Sequence, residues 1–191
     1  MDAIVAGAEP KAAGPIARGL IGDEDFEVRL AAYENLRRLD DLAITSSLIA
    51  KSFLLEQVAQ SGKPAIYVRR SGEPRIVLFG APIYCRDNIF VQSQDGAITI
   101  NAPAGQGYVT ILRRHPTHSD VIIRLRSTFE LSDIIRILCE EPLSKEEQGQ
   151  HGLGVTYSVL AGLLKQMSDK GAVDAEFHAG ALPKIGLNIK K

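Results

Sequence analysis

The stretch from Pro64 to Arg126 constrains the fold most, because turn-forming residues divide it into short runs of alternating apolar and polar residues. Alternation with a period of two predicts half-buried strands, and the Gly, Pro, Asn and Asp residues between such runs predict turns. Six strands follow: Pro64–Arg70, Arg75–Phe79, Phe90–Gln94, Ala97–Asn101, Tyr108–Arg114 and Val121–Arg126. Because the connections are short, we expect a central antiparallel meander, which could close into a barrel-like shape.

Helical periodicity precedes this stretch. Pro15–Leu20 predicts a first helix, and Asp23–Asp41 predicts a second helix with Val28, Ala32 and Leu36 on one face. The acidic residues at the start of the second helix complement its dipole. We therefore expect two helices to pack with a neighbouring element through this apolar face.

Two further helices are predicted after the strands. The first covers Leu131–Leu138 and ends before Pro142, and the second runs from an N-cap at Thr156 to a stop at Gly171. A short strand is predicted over Asp174–His178. These two helices are expected to pack on the sheet.

The patterns together predict an α+β fold. We expect a helical segment over residues 1–42, a β-rich module with closing helices over residues 52–178, and a tail over residues 179–191. Ser52–Val58 favours a strand over a helix, whereas Leu42–Ser52 is compatible with either. A chain of 191 residues is long enough to bury one substantial core or two small ones.

Composition excludes several function classes. A net charge of −1 provides no overall field for recruiting nucleic acid or an anionic membrane. No apolar run approaches the ~18 residues of a transmembrane helix, and the first residues lack the basic and apolar regions of a signal peptide. Cys85 and Cys139 match no zinc-binding pattern, so both are expected to be buried thiols.

Candidate catalytic chemistry is sparse. His115, His118 and Asp120 form the only histidine cluster, but a metal centre normally needs three or four converging ligands. We interpret the cluster as a solvated turn and predict no metal, no cofactor and no catalytic residue. Gly152–Gly154 precedes a helix and could offer backbone amides to an anion, although an ordinary helix entry explains it as well.

Arginines are the most distinctive polar residues. Seven lie on or beside predicted strands: Arg69, Arg70, Arg75, Arg113, Arg114, Arg124 and Arg126. On one sheet face they would bind a polyanion or an acidic partner, with Arg69, Arg113, Arg124 and Arg126 as candidate contacts. The alternative is that they are solvent-facing residues that pair with nearby acids.

A winged-helix interpretation of Leu131–His178 is disfavoured because the second helix carries few cations.

Two resemblances extend this interpretation. Asp23–Asp41 has an acidic turn, Val-Arg, Ala-Ala and a Leu, and so resembles a HEAT-type repeat. Because HEAT repeats generally need about three copies for stability, the helical segment would be the end of a longer array or a cap on another domain. Val28, Ala32 and Leu36 would then belong to a docking surface for a protein partner or an upstream part of the same polypeptide.

The order of later motifs resembles the C-terminal region of large bacterial proteins related to the flagellar basal-body P-ring family. The motifs are Pro64–Val68, Ser71–Gly80, Ser132–Leu138 and Gly152–Ser158. This resemblance implies a non-catalytic structural or interaction domain that is periplasmic or otherwise associated with the cell envelope. Binding of a polyanion or nucleic acid by an arginine-rich sheet face is the alternative function.

Overall fold

The computed structural model describes residues 10–59, 62–115, 120–141 and 152–182. Four helices and nine strands lie within these ranges. The helices are α1 (Pro10–Leu20), α2 (Phe26–Arg38), α3 (Leu131–Cys139) and α4 (Tyr157–Asp169). The strands are β1 (Ile44–Ile49), β2 (Phe53–Val58), β3 (Ala65–Arg69), β4 (Arg75–Phe79), β5 (Ile89–Gln92), β6 (Ile98–Ala102), β7 (Val109–Arg114), β8 (Ile122–Ser127) and β9 (Glu176–Ala179).

Five strands form a mixed first sheet in the order β1-β2-β4-β3-β9. The β1–β2 and β3–β4 pairs are antiparallel, whereas β2–β4 and β3–β9 are parallel. Ala50 and Lys51 make the β1–β2 turn at positive φ angles of 48° and 51°. All five residues of β4 are buried, because the strand has neighbours on both sides and both of its faces are covered.

The other four strands form a second sheet, which is an antiparallel meander in the order β5-β6-β7-β8. The β5–β6 connection contains the predicted Asp95-Gly96 turn, with Gly96 at a φ of +69°. The Asp95 carboxylate accepts a hydrogen bond from the Ala97 amide at 3.0 Å, which is the local bonding that favours Asp in turns.

The single meander expected from Pro64 to Arg126 is wrong, because the six strands are divided between two sheets. Both edges of β4 are already paired with β2 and β3, so β5 has no edge of β4 to join. The connection instead crosses the core, where Ala81, Ile83 and Cys85 are buried. Each sheet keeps two edge strands, so the described strands form no closed barrel.

The helices cover opposite faces of the first sheet. Helices α1 and α2 pack on the face that carries Val58, Ala65, Val77 and Phe79, which we call the helix side. The opposite face, α3, α4 and the second sheet enclose a larger apolar core. The helical segment and the β-rich module therefore share a core at the helix side.

Most local predictions are confirmed within one or two residues, including β2, α3 and α4. Gly171 follows α4 at a φ of +66°, as a helix stop requires. The ambiguous segment after residue 42 is strand β1. Helix α1 begins at Pro10, five residues before the predicted start at Pro15, which lies inside the helix.

Candidate interaction surface

A cluster of charged and polar side chains lies beneath α2 on the helix side. Tyr33 of α2, Glu56 of β2 and Arg75 of β4 are each at most 2% exposed. The Tyr33 hydroxyl donates a hydrogen bond to Glu56 Oε2 and accepts one from Arg75 Nη1 at 3.0 Å. We call these three residues the charge cluster.

The strand pairing explains how the cluster forms. Glu56 is the Cα partner of Val77 in the parallel β2–β4 pair, and Leu54 is the partner of Arg75. Since alternate residues of a strand share a face, Glu56 and Arg75 both project toward α2 from neighbouring strands. Tyr33 meets them because it lies on the buried side of α2 with Ala32 and Leu36.

Partly exposed residues surround the cluster and balance its charge. Arg37 Nε donates to Glu56 Oε1 at 3.0 Å, and its Nη2 donates to Glu73 Oε2 at 3.1 Å. Arg75 Nη2 also donates to Glu73 Oε2 at 3.2 Å. Charged groups are therefore paired with one another, and the cluster joins α2 to β2 and to the β3–β4 turn.

Burial and the Glu56 carboxylate both raise the pKa of Tyr33, so that its hydroxyl remains protonated. Burial lowers the pKa of Arg75, but the hydrogen bond to Tyr33 and the nearby carboxylates outweigh it and leave the pKa raised. Both groups keep their usual protonation at neutral pH. The cluster is thus arranged to position α2 on the sheet.

An open sheet edge lies next to this cluster. Strand β1 ends the first sheet, and no described residue pairs with its outer side. Leu42, just before the strand, is 96% exposed, and Leu48, within it, is 61% exposed. We call the outer side of β1, together with these two leucines, the β1 edge.

The β1 edge differs from the other three sheet edges. Edge strands are commonly protected from pairing with other chains by charged side chains or by short length. Strand β8 carries Arg124 and Arg126, and β9 carries Glu176 and His178. Strand β5 has no ionisable residue but is only four residues long. Strand β1 has six residues, Ile-Thr-Ser-Ser-Leu-Ile, and no ionisable residue among them.

Two surface cavities flank the beginning of β1. One, of about 550 Å³, lies between the end of α2 and the strand, with Arg37, Ser46 and Glu56 among its lining residues. The other, of about 650 Å³, includes Leu42 and Gln57 in its lining. A segment that pairs with β1 would therefore find a recess on either face for its side chains.

The structure separates the predicted arginine contacts. Arg69 is paired with Arg75 across β3 and β4 of the first sheet. In the second sheet, Arg113 lies opposite Ile123, whereas Arg124 lies opposite Leu112. Since directly opposed residues share a face, Arg113 projects from the face opposite to that of Arg124. The seven arginines therefore do not form one face.

A smaller arginine group does share the outer face of the second sheet. Arg126 lies opposite Thr110, Arg124 opposite Leu112, and Arg114 opposite Ile122, which places all three arginines on that face. The Arg126 guanidinium lies over the Tyr108 ring, with its carbon 4.5 Å from the ring centroid. Of the seven arginines predicted on or beside strands, these three share one face of the second sheet in the described structure.

The predicted docking surface on the second helix is mostly covered. Ala32 and Leu36 are fully buried against the first sheet, and Val28 is half-buried. Tyr33 is buried together with them, so α2 uses a broader face than the one expected stripe. The expectation that Ala32 and Leu36 face a partner is wrong, because the helix side of the sheet already covers them.

The remaining sequence predictions concern cysteine and histidine. Cys85 and Cys139 are free and buried, as expected, and burial raises the pKa of each thiol to about 12. His118 lies outside the described residues. Among the residues that are described, no three or more His, Cys, Asp or Glu side chains gather into a metal-binding group.

Sequence reasoning missed the charge cluster and the β1 edge. A signal for the cluster existed, because Glu56 is the only charged residue in the mostly apolar run Phe-Leu-Leu-Glu-Gln-Val, and a buried acid needs a partner. No comparable signal marked the β1 edge, since an edge is defined by the absence of a neighbouring strand.

The fold and this surface define an α+β domain whose longest edge strand without an ionisable residue is β1, with six residues. A scan against models of protein families, together with searches of curated proteins and solved structures, found no match. None of the four described helices has the length and apolar content needed to cross a bilayer. The function is therefore inferred from the residues of the chain itself.

Proposed function

We propose that this chain is a non-catalytic structural or protein-interaction domain, and that an extended segment of a protein partner adds to the first sheet at the β1 edge. The observation that carries the proposal is the combination of six uncharged strand residues with the exposed Leu42 and Leu48. Main-chain hydrogen bonds supply affinity in such strand addition, and recesses for alternate side chains supply specificity.

The charge cluster supports this role by fixing the strand behind the edge. Glu56 lies in β2, which pairs with β1 along all six of its residues. Tyr33 and Arg37 hold that carboxylate from α2, so β2 is anchored to the helix as well as to β4. A rigid inner strand keeps β1 extended before a partner arrives, which lowers the ordering cost of binding.

The wider setting also belongs to the proposal. The sequence resemblances imply that α1 and α2 are HEAT-like and that the chain belongs to an envelope-associated, P-ring-like protein. In that setting the partner is a protein of the assembly or an upstream part of the same polypeptide.

Photo-crosslinking in the cells that make the protein tests the proposal. A photoreactive amino acid in place of Leu48 should give a discrete crosslinked protein product, whereas the same probe in place of Gln92 in β5 should not. Ser46→Pro should abolish the product at Leu48, because proline disrupts strand pairing. Equal products at both positions, or no product at Leu48, would contradict the proposal.

The arginines on the outer face of the second sheet favour one alternative, which is binding of a polyanion. Arg114, Arg124 and Arg126 share that face, and Tyr108 offers a ring for stacking. Fluorescence anisotropy with single-stranded DNA at several salt concentrations measures such binding. Arg124→Ala should weaken it, and Arg113→Ala, on the other face, is the matched control. Equal effects of the two variants, or no salt dependence, would exclude this alternative.

A further inference from the structure

A surface cavity of about 580 Å³ lies between β9 and α4, at the other end of the first sheet from the β1 edge. Its floor is apolar, because Val68 of β3 and Phe177 of β9 line it from the sheet and Ala161 lines it from the helix. The exposed Leu182 also lines it. A volume of about 300–1,000 Å³ with a mostly apolar lining is typical of sites for small molecules.

The charged residues that line this cavity are both cations. Arg70 directly follows β3, and Lys165 lies on α4. In the part of the chain that the structure describes, no acid lines the cavity and no carboxylate forms an ion pair with Arg70. Lys165 Nζ lies 2.5 Å from an Asp169 carboxylate oxygen, but both side chains are more than half exposed, and exposed ion pairs of this kind are weak. The cavity therefore combines an apolar floor with a positive charge at Arg70 that no described carboxylate neutralises.

Gly162, in the middle of α4, leaves the wall of the cavity open. Glycine weakens a helix interior relative to alanine. A Cβ atom at this position would have no neighbouring heavy atom within 4 Å, so the packing of the chain does not require glycine here. Gly162 and Ser158 also line a second cavity, which reaches Ser93 and Asp95 near the β5–β6 connection. The absence of a side chain at position 162 thus leaves room for a ligand to pass over α4.

We propose that this cavity binds a small amphipathic anion, namely an alkyl or aryl carboxylate, with its apolar part against Val68 and Phe177 and its carboxylate at Arg70. A guanidinium can donate two parallel hydrogen bonds to a carboxylate, and the apolar floor removes the rest of the ligand from water. The inference goes beyond the proposed function, because the cavity and the β1 edge lie at opposite ends of the first sheet. Either of the two can fail while the other holds.

Isothermal titration calorimetry with decanoate, below its micelle concentration, tests the inference. Decylamine, which has a chain of the same length and the opposite charge at neutral pH, should bind at least about tenfold more weakly than decanoate. Arg70→Gln should raise the dissociation constant of decanoate by about tenfold, because a charge-assisted contact is lost. Arg38→Gln, at an exposed arginine in the last turn of α2, should leave it unchanged. No binding of decanoate, equal affinity for the two amphiphiles, or equal effects of the two variants would overturn the inference.

Filling the cavity tests where decanoate binds. Gly162→Leu should abolish binding, because the new side chain has open space around its Cβ atom and would occupy the cavity. Leucine favours a helix interior over glycine, so thermal unfolding should show this variant to be at least as stable as the wild type. Gly19→Leu in α1, where a Cβ atom also meets nothing within 4 Å, is the matched control and should bind decanoate as the wild type does. Wild-type affinity in Gly162→Leu would contradict the assignment of the site.

The last residues of the chain itself are the competing occupant. Residues 183–191 follow Leu182 in the sequence and include Ile185 and Leu187. If these residues filled the cavity, the double variant Ile185→Asp/Leu187→Asp would bind decanoate more tightly than the wild type, because a competitor would be removed. An unchanged affinity supports the inference, whereas a gain in affinity would assign the cavity to the end of the chain instead of a small molecule.

Discussion

The two faces of the first sheet are stabilised by different chemistry. The helix side buries Glu56, Arg75 and the Tyr33 hydroxyl beneath α2, together with apolar residues such as Phe79. The opposite face contributes only apolar side chains to the larger core, among them Leu55. A polar cluster can be satisfied in few arrangements, whereas apolar side chains can pack in many. We infer that the helix side determines where α2 sits, and that the opposite face supplies most of the stability.

The contact that Tyr157 makes on the opposite face sharpens this contrast. Its hydroxyl donates to the carbonyl oxygens of Arg69 and Arg75, at 2.8 and 2.7 Å. Tyr157 thus joins α4 to the β3–β4 hairpin through neutral backbone groups, whereas Tyr33 joins α2 to the same sheet through charged side chains. The chain contains a matched pair of tyrosines, one on each face.

The largest effect is expected from breaking the charge cluster. Glu56→Leu removes the buried carboxylate of the charge cluster, so that Arg75 keeps only the more exposed Glu73 at 3.2 Å and Glu34 at 3.5 Å, and it should lower the free energy of unfolding by about 3–5 kcal/mol. The triple variant Glu56→Leu/Arg75→Met/Tyr33→Phe should recover most of that loss, because no buried charge then remains uncompensated. Urea denaturation measures both values. A triple variant no more stable than Glu56→Leu would show that the cluster contributes net stability as well as position.

A smaller effect is expected from the matched tyrosines. Tyr33→Phe removes hydrogen bonds to two charged groups and should cost about 1.5–3 kcal/mol, whereas Tyr157→Phe removes bonds to neutral carbonyls and should cost about 1 kcal/mol. Urea denaturation of the two variants under one condition gives the comparison. Equal losses would indicate that the charged character of the Tyr33 contacts has no energetic consequence.

Strand positions could be predicted from the sequence because they depend on local alternation and turns. Arg75–Phe79 was predicted at the bounds that β4 occupies. The division into two sheets could not be predicted, because it depends on the parallel pairing of β2 with β4, in which residue 54 meets residue 75. The choice of which strand pairs with which is determined by packing between distant segments, and it produces no periodic pattern in the sequence.

Side-chain faces were partly predictable. Alternation along the sequence places Val109 and Ile111 on one face of their strand and Ile123 and Leu125 on one face of the next, and the β7–β8 register shows that the two faces are the same. The same alternation places Arg113 on that inner face, so the grouping of Arg113 with Arg124 could have been rejected from the sequence once the hairpin was assumed. The charge cluster required the tertiary fold, since its members come from three elements.

For each buried thiol, the effect expected from alkaline pH is no larger than that of Tyr157→Phe, and it distinguishes the two faces once more. Burial raises the pKa of Cys85 and Cys139, in the apolar core, from an ordinary 9.0 to about 12. The pKa of Tyr33, on the helix side, is raised from an ordinary 10.0.

A raised pKa in the folded state means that the stabilising contribution is complete below the ordinary value and is lost as the pH rises above it. The thiols should therefore lower stability from about pH 9, and Tyr33 only from about pH 10. At pH 10 each thiol should have lowered the free energy of unfolding by about 1 kcal/mol relative to pH 8. Urea denaturation between pH 8 and 10 measures this loss of stability. The double variant Cys85→Ala/Cys139→Ala should remove most of the loss, whereas Tyr33→Phe should leave the loss nearly unchanged. A pH dependence that Tyr33→Phe removes and the cysteine variant retains would place the alkaline sensitivity in the charge cluster instead of the apolar core.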